Sequence, residues 1–334
     1  MVFYITFLKA LAACLITNAH YTGIYPTDLI ANGGLIGDIL FFAVSGYCLY
    51  HIKFPFVKWY SKRLVRCYVP VVVATAIFIL LGFYCLSEHT VCWWFLYPTC
   101  YHFVASIVVL YIPYYFIMRS EWMRNRIPLM MTIVAAIWLL VYLTVYDRSF
   151  YHIDTVREPM IRFLFFESML LGAWFRKNSD KFRICNKKGH IINTALLATM
   201  FVLYFSSKLL FSRTPSLSQF QIVNQLIIFG LLWSLLRWAS FMGKKLESLP
   251  VFVKHCVEFI SKRTLEIYVV QYVLIDLIRP LFGFPLNWII LTGAILIAAS
   301  LLHWCCNSVI HLLSRIQISQ SGGQYEHSDN RSLE

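Results

Sequence analysis

Two ionisable residues stand eleven positions apart in the first apolar stretch of the chain, Lys9 and His20. On an α-helix that interval turns through about 1100°, so the side chains point within roughly 20° of each other, about 16 Å apart along the axis. A charge in hydrocarbon costs a few kcal/mol on insertion scales, so such residues usually face a protein interior or a water-filled cavity. A near-neutral imidazole is a natural general base toward a hydroxyl, and a lysine can hold an anion such as a phosphate. Together they suit group transfer between a donor on one side of a membrane and an acceptor nearer the other. Plainer readings stand beside this one. Lys9 is about two turns from the N-terminus and can reach the interface along its own stem. His20 can bond a neighbouring helix near the opposite surface, with Asn18 close by.

Three further groups carry polar chemistry. In Lys58–Pro70, the residues Lys62, Arg63 and Arg66 fall within about one helical turn and suit a polyanion at the membrane surface; ordinary anchoring by cytoplasmic basic residues is the alternative. In Phe41–Tyr47, Ser45 and Gly46 let a helix or a ligand approach the backbone closely, and Asp38 is a nearby acid in need of a partner. In Thr264–Tyr272, Glu266 and Tyr268 either line a cleft or belong to a structural pair, and Glu167 poses the same question. The chain has no phosphate-binding Walker loop, no G-x-S-x-G elbow, no H-E-x-x-H and no dense Cys/His cluster, so nucleotide hydrolysis, serine-hydrolase chemistry and metal catalysis lack support. The ten cysteines include no C-x-x-C pair and mostly sit in apolar runs as small hydrophobes; Cys92 and Cys100 share an outward loop and would pair only in an oxidising compartment.

The elements that must position these residues are membrane helices. Of the 334 residues 59% are apolar and only 13% charged, with a mean hydropathy of +0.66; a soluble domain carries roughly 25% charged residues. Apolar runs predict ten spans, at 2–24, 33–52, 67–86, 100–118, 128–146, 159–175, 190–211, 220–236, 264–282 and 286–312. The first is long enough to cross and lacks a basic leader, so it is not expected to be cleaved. The fold class is therefore all-α: a polytopic integral membrane protein of about ten helices in one bundle, with a membrane domain over 1–312 and a polar, disordered cytoplasmic tail over 313–334. The net charge of +13 would suit nucleic acid if evenly spread. Instead, alternate loops hold most of the Lys and Arg, and the others hold only Arg148, Arg157, Arg213 and Arg279. That asymmetry is an orientation signal, with both termini cytoplasmic and no nucleic-acid partner.

These pieces, in this order, resemble the bacterial membrane acyltransferase-3 family, above all its shorter members linked to capsule and exopolysaccharide modification. The first-helix signature is a basic residue, ten intervening positions and a histidine, here Lys9 and His20. Next come Phe-Phe-x-x-Ser-Gly-aromatic at Phe41–Tyr47 and Arg-x-x-Arg with an aromatic and a proline at Arg63, Arg66, Tyr68 and Pro70. Tyr97-Pro98-Thr99-x-Tyr101 and Leu265-Glu266-Ile267-Tyr268 are also similar, and the likeness covers most of residues 1–280. It departs at Lys9, more often Arg, at Thr6, often Asp, at Gln271, often His, and at His102, where an aromatic is expected.

The resemblance implies transfer of an acyl group, usually acetyl, from acyl-CoA to a hydroxyl of a polysaccharide or its lipid-linked precursor. His20 would be the catalytic base or acyl relay, with Lys9 beside it in the catalytic set. Lys62, Arg63 and Arg66 would bind acetyl-CoA, and Ser45, Tyr101, Glu266 and Tyr268 would line the cleft; no metal is implied. A single domain without a fused extracytoplasmic hydrolase would do the whole reaction in a bacterial cell membrane, in contact with lipid, and a homo-oligomer is left open. The competing reading is a transporter or flippase for a lipid-linked or acylated sugar, which buried charges fit as well; paired Gly/Pro-broken helices, which would mark one, are not seen. A structural partner of a polysaccharide-export complex is the third.

Overall fold

The structure is a computed structural model and describes residues 2–85, 90, 101–155, 158–182 and 186–329, with side chains as far as Leu312. In order the helices are α1 (Phe3–Ala19), α2 (Gly34–Cys48), α3 (Phe56–Leu80), α4 (His102–Arg119), α5 (Glu121–Asn125), α6 (Ile127–Thr144) and α7 (Ile161–Lys177). Then come α8 (Ser179–Phe182), α9 (Lys187–Arg213), α10 (Ile222–Phe241), α11 (Gly243–Glu247), α12 (Val251–Lys262), α13 (Thr264–Ile278) and α14 (Leu286–Asp329). Every expected span is met by a helix. Among the described residues six of them, α3, α4, α6, α9, α10 and the Leu286–Leu312 part of α14, are long and apolar enough to cross a membrane, and α1 and α2 are shorter apolar helices. The protein is an all-α, polytopic membrane protein.

Two differences from the sequence expectation have physical causes. The third helix begins at Phe56, eleven residues before the expected 67, because Lys and Arg extend a helix readily while failing any apolar count. Its Pro70 lies inside the helix without ending it, as membrane helices tolerate. The second difference is α12, too short and too amphipathic to register as a span; it lies along α1.

The chain divides into two compact units, Met1–Tyr60 with Cys100–Thr264, and Ser61–Thr99 with Leu265–Glu334. In the first unit α2 is the central helix, packed on α1 and α7. Tyr4 meets Tyr47 at one end and Gly34 meets Ala19 at the other, so α1 and α2 run antiparallel. Phe42 stacks on Phe165 and Tyr47 bonds Arg176, so α2 and α7 run in the same direction. These relative directions are those that alternate membrane crossings require. The α2–α7 crossing is made by glycine: a Cβ on Gly46 would run into the Met169 carbonyl, and one on Gly172 into the Ala43 carbonyl. Backbones that approach this closely leave no room for any larger residue.

In the second unit, α3 buries Cys67, Val71, Ala74, Thr75 and Phe78. Their spacing of three and four residues is one stripe of a helix.

Candidate functional site

His20 sits where α1 ends. Its backbone stays right-handed (φ −89°, ψ −3°) and its N–H bonds the Thr17 carbonyl at 3.1 Å. The chain then folds back on Asn18. The Asn18 amide donates to the carbonyls of Ile30 (2.8 Å) and Asn32 (3.0 Å), and its oxygen accepts from the Tyr25 hydroxyl at 2.7 Å. Gly33, at φ 95°, makes the left-handed turn into α2 that other residues take only at a cost. His20 thus lies half-buried at the base of a loop pinned by its neighbour in sequence. Lys9 is half-buried in the middle of the same helix. Because α1 is continuous from Phe3 to Ala19, the eleven-residue relation of the two side chains holds up to its last step.

At the opposite end of this unit three helices share a polar layer. The Tyr4 hydroxyl donates to that of Tyr47 at 3.2 Å, and Arg176 donates to Tyr47 at 2.9 Å while its guanidinium lies 5.0 Å from the centre of the Tyr47 ring. Arg176 and Lys177 close the last turn of α7, where a cation complements the negative end of the helix. Sequence reading had not singled out Tyr4 or Arg176; a basic residue in the last turn of α7 was their only local signal.

The Phe41–Tyr47 segment divides its labour. Phe41 and Phe42 pack edgewise or tilted on Phe103, Phe42 stacks on Phe165 at 4.4 Å, and Gly46 makes the α7 crossing and gives its carbonyl to the Tyr114 hydroxyl at 2.7 Å. For Gly46 the close-packing role expected of small residues is the one observed. Ser45, next to it, is half-buried. Tyr101 caps the start of α4 and is 1% exposed. Residues 97–99 and both Cys92 and Cys100 lie outside the described residues. The other buried acids of this unit are Asp38, within electrostatic range of Tyr204, and Glu167, whose Oε1 has no hydrogen-bond partner.

The second unit holds the remaining predicted residues. Arg63 lies one turn before Cys67 on the buried stripe of α3 and is half-buried, whereas Lys62 and Arg66 are exposed. Adjacent positions on the helix therefore do not give one uniform basic face. Glu266 is buried near the start of α13, and its Oε1 lies 2.6 Å from Nδ1 of His303 on α14. The structure gives Glu266 a partner, an imidazole 37 residues away. His303 had no signal except being polar in an apolar run. Tyr268 is buried and sets its ring edgewise to Tyr272 at 5.6 Å. Gln271 is wholly buried with neither amide atom hydrogen-bonded, an expensive arrangement that marks a polar spot inside α13's packing. Among the described residues no three of His, Cys, Asp and Glu come together as metal ligands do.

The first unit offers an imidazole at the end of the helix that carries a lysine; the second, taken by itself, offers an imidazole held by a carboxylate and the basic residues Lys62, Arg63 and Arg66 of α3. Neither a curated protein nor a solved structure matches the chain. The sequence profile of the acyltransferase-3 family, described as an acyltransferase domain, matches residues 2–306. With nearly the whole chain covered, from α1 into the first half of α14, the protein belongs to the acyltransferase-3 family and is a multi-pass membrane acyltransferase.

Proposed function

We propose that this membrane acyltransferase moves an acetyl group from cytoplasmic acetyl-CoA to a hydroxyl of a cell-surface polysaccharide or its lipid-linked precursor. The observation that carries the reading is the placement of Lys9 within, and His20 at the C-terminal cap of, one unbroken helix of a chain matched by the family from residue 2 to 306. In this reading His20 accepts the proton of the acceptor hydroxyl. The oxygen forms a bond to the thioester carbonyl, the carbon–sulfur bond breaks, and the thiolate of CoA takes up a proton, so that an ester and free CoA result. Lys9 holds an anionic part of the donor. Arg63, with Lys62 and Arg66, recognises the phosphates, and arginine's fork suits them better than a lysine would. Ser45 and Tyr101 in the first unit, and Glu266 and Tyr268 in the second, are the further residues this reading assigns to substrate binding. The protein resides in a bacterial cell membrane with both termini cytoplasmic, an orientation supported by the basic-residue asymmetry.

The test uses the whole protein in lipid nanodiscs with radiolabelled acetyl-CoA and the source strain's polysaccharide, stripped of its esters by mild base. His20→Ala should lower labelling of the glycan by about a hundredfold or more. Wild-type labelling by a folded His20→Ala protein would refute the assignment of the base.

A further inference from the structure

The loop between α6 and α7 is built as a stack of rings. Tyr142 and Tyr146 lie 5.5 Å apart at 26°, Tyr146 and His152 4.6 Å apart at 18°, and His152 and Phe150 4.2 Å apart at 23°. The stack begins buried at Tyr142 and ends at Phe150, whose ring is 56% exposed. The loop is held by side chains of the helices beneath it. Gln221 accepts from the N–H groups of His152 and Ile153 and donates to the Phe150 carbonyl, and Gln225 donates to the Ile153 carbonyl. Tyr142 donates to the Gln219 carbonyl, Tyr151 to Asn224, and Lys208 pairs with Asp154. Lys208, which the sequence placed within a span, is thus a tether for this loop.

In sequence the exposed ring is preceded by Asp147, Arg148 and Ser149, of which Arg148 holds its guanidinium 5.9 Å from the centre of the Tyr142 ring, at the buried end of the stack. Asp147 and Ser149 are exposed, and the Ser149 N–H donates to the Asp147 carboxylate at 2.9 Å. Those bonds from Ser149 hold the Asp147 carboxyl below the usual range, so its acceptor oxygens are present at neutral pH. The loop also has a defined end of the first unit. The start of α7 follows it, α2 and α7 run in the same direction, and the start of α2 meets the end of α1 at Gly34 and Ala19. The ring stack and His20 therefore occupy the same end.

We infer that the Phe150 ring, backed by His152 and Tyr146 and preceded by the exposed Asp147 and Ser149, is a binding platform for a sugar ring of the acceptor polysaccharide. The inference rests on the acceptor class proposed above and names where that acceptor is held. The C–H face of a pyranose carries partial positive charge and seats on the negative face of an aromatic ring. Its hydroxyls need hydrogen-bonding partners near the ring, and the exposed Asp147 and Ser149 stand in the short turn that precedes Phe150. An aromatic residue anchored in the lipid interface needs no such rigid backing and no charged rim. The platform binds and positions; it takes no part in the chemistry.

The experiment titrates the ester-stripped polysaccharide against the protein in nanodiscs and follows both glycan labelling and acetyl-CoA binding. Phe150→Ala should raise the apparent KM for glycan about three- to tenfold, the worth of one ring contact, with kcat and acetyl-CoA binding unchanged. Phe150→Trp should restore the wild-type KM, whereas Phe150→Leu, which keeps apolar area without a π-face, should not. A Leu variant equal to wild type would overturn the platform in favour of a lipid contact, and an unchanged KM in the Ala variant would overturn it outright. Failure of the wild-type protein to label polysaccharide at all is the distinct result that removes the acceptor class, and the platform with it.

Discussion

Gly46→Ala is the most severe small change the structure offers. The new Cβ would enter the Met169 carbonyl, with the Met169 Cα 2.9 Å away. These are backbone atoms and cannot swing aside as a side chain does, so α2 and α7 must separate. Overpacking of a fitted core costs about 1–3 kcal/mol, and a contact with no yielding partner belongs at the upper end. The same separation pulls Tyr47 from Arg176, whose hydrogen bond lies one residue beyond the crossing on α2. For a chain of this size each kcal/mol moves the melting point by about 1.5 °C, so a fall of about 4 °C is expected. The assay is thermal unfolding in mild detergent, read by loss of the monodisperse peak. Gly293→Ala is the control: nothing lies within 4 Å of its Cβ, and replacing a helical glycine there should stabilise by about 0.5–1 kcal/mol. Gly172→Ala acts on the same crossing, and the double variant should fall short of the sum of the single effects. Unfolding of Gly46→Ala within about 1 °C of wild type, which corresponds to a ΔΔG of about 0.7 kcal/mol, would refute the glycine-mediated contact.

Two other perturbations address the second unit. Glu266→Ala should destabilise by about 1.5–3 kcal/mol, because it strips a charge-assisted partner from His303 in a largely buried place; adding His303→Ala should cost little more, as a double-mutant cycle of melting points would show, and additive effects would deny the pairing. Arg63→Ala and Arg66→Ala should each weaken acetyl-CoA binding measured by calorimetry, with the larger loss at Arg63, which lies on the buried stripe of α3; unchanged affinity in both would reject their donor role.

Helix number and the alternation of loops were open to reading in the sequence because they depend on local quantities. A run of about 20 apolar residues can satisfy its backbone in lipid only as a helix, whatever surrounds it. The relative directions of α1, α2 and α7 agree with the alternation of crossings that the loops imply. The Lys9–His20 relation also came from local geometry, since a helix fixes its own angular spacing. Boundaries came out less well where the local count misleads, as at Phe56, where basic residues continue a helix that an apolar window ends.

What only the tertiary structure decided is which faces meet. The partners of Tyr47, Glu266 and Phe42 lie 129, 37 and 123 residues away, or in the last case at Phe165 by stacking. A helix that is apolar on all sides carries no stripe to say which side turns inward, and nothing local sets its register against a neighbour. Gly46 announces close packing but not α7; Glu266 announces a buried acid but not His303; Lys208 looks like a charge stranded in a span until the loop that carries Asp154 folds down on it. Composition determined that this chain is a set of membrane helices with a few ionisable residues to accommodate. The rotation and register of those helices, fixed by packing between residues far apart in sequence, determined which of those residues meet.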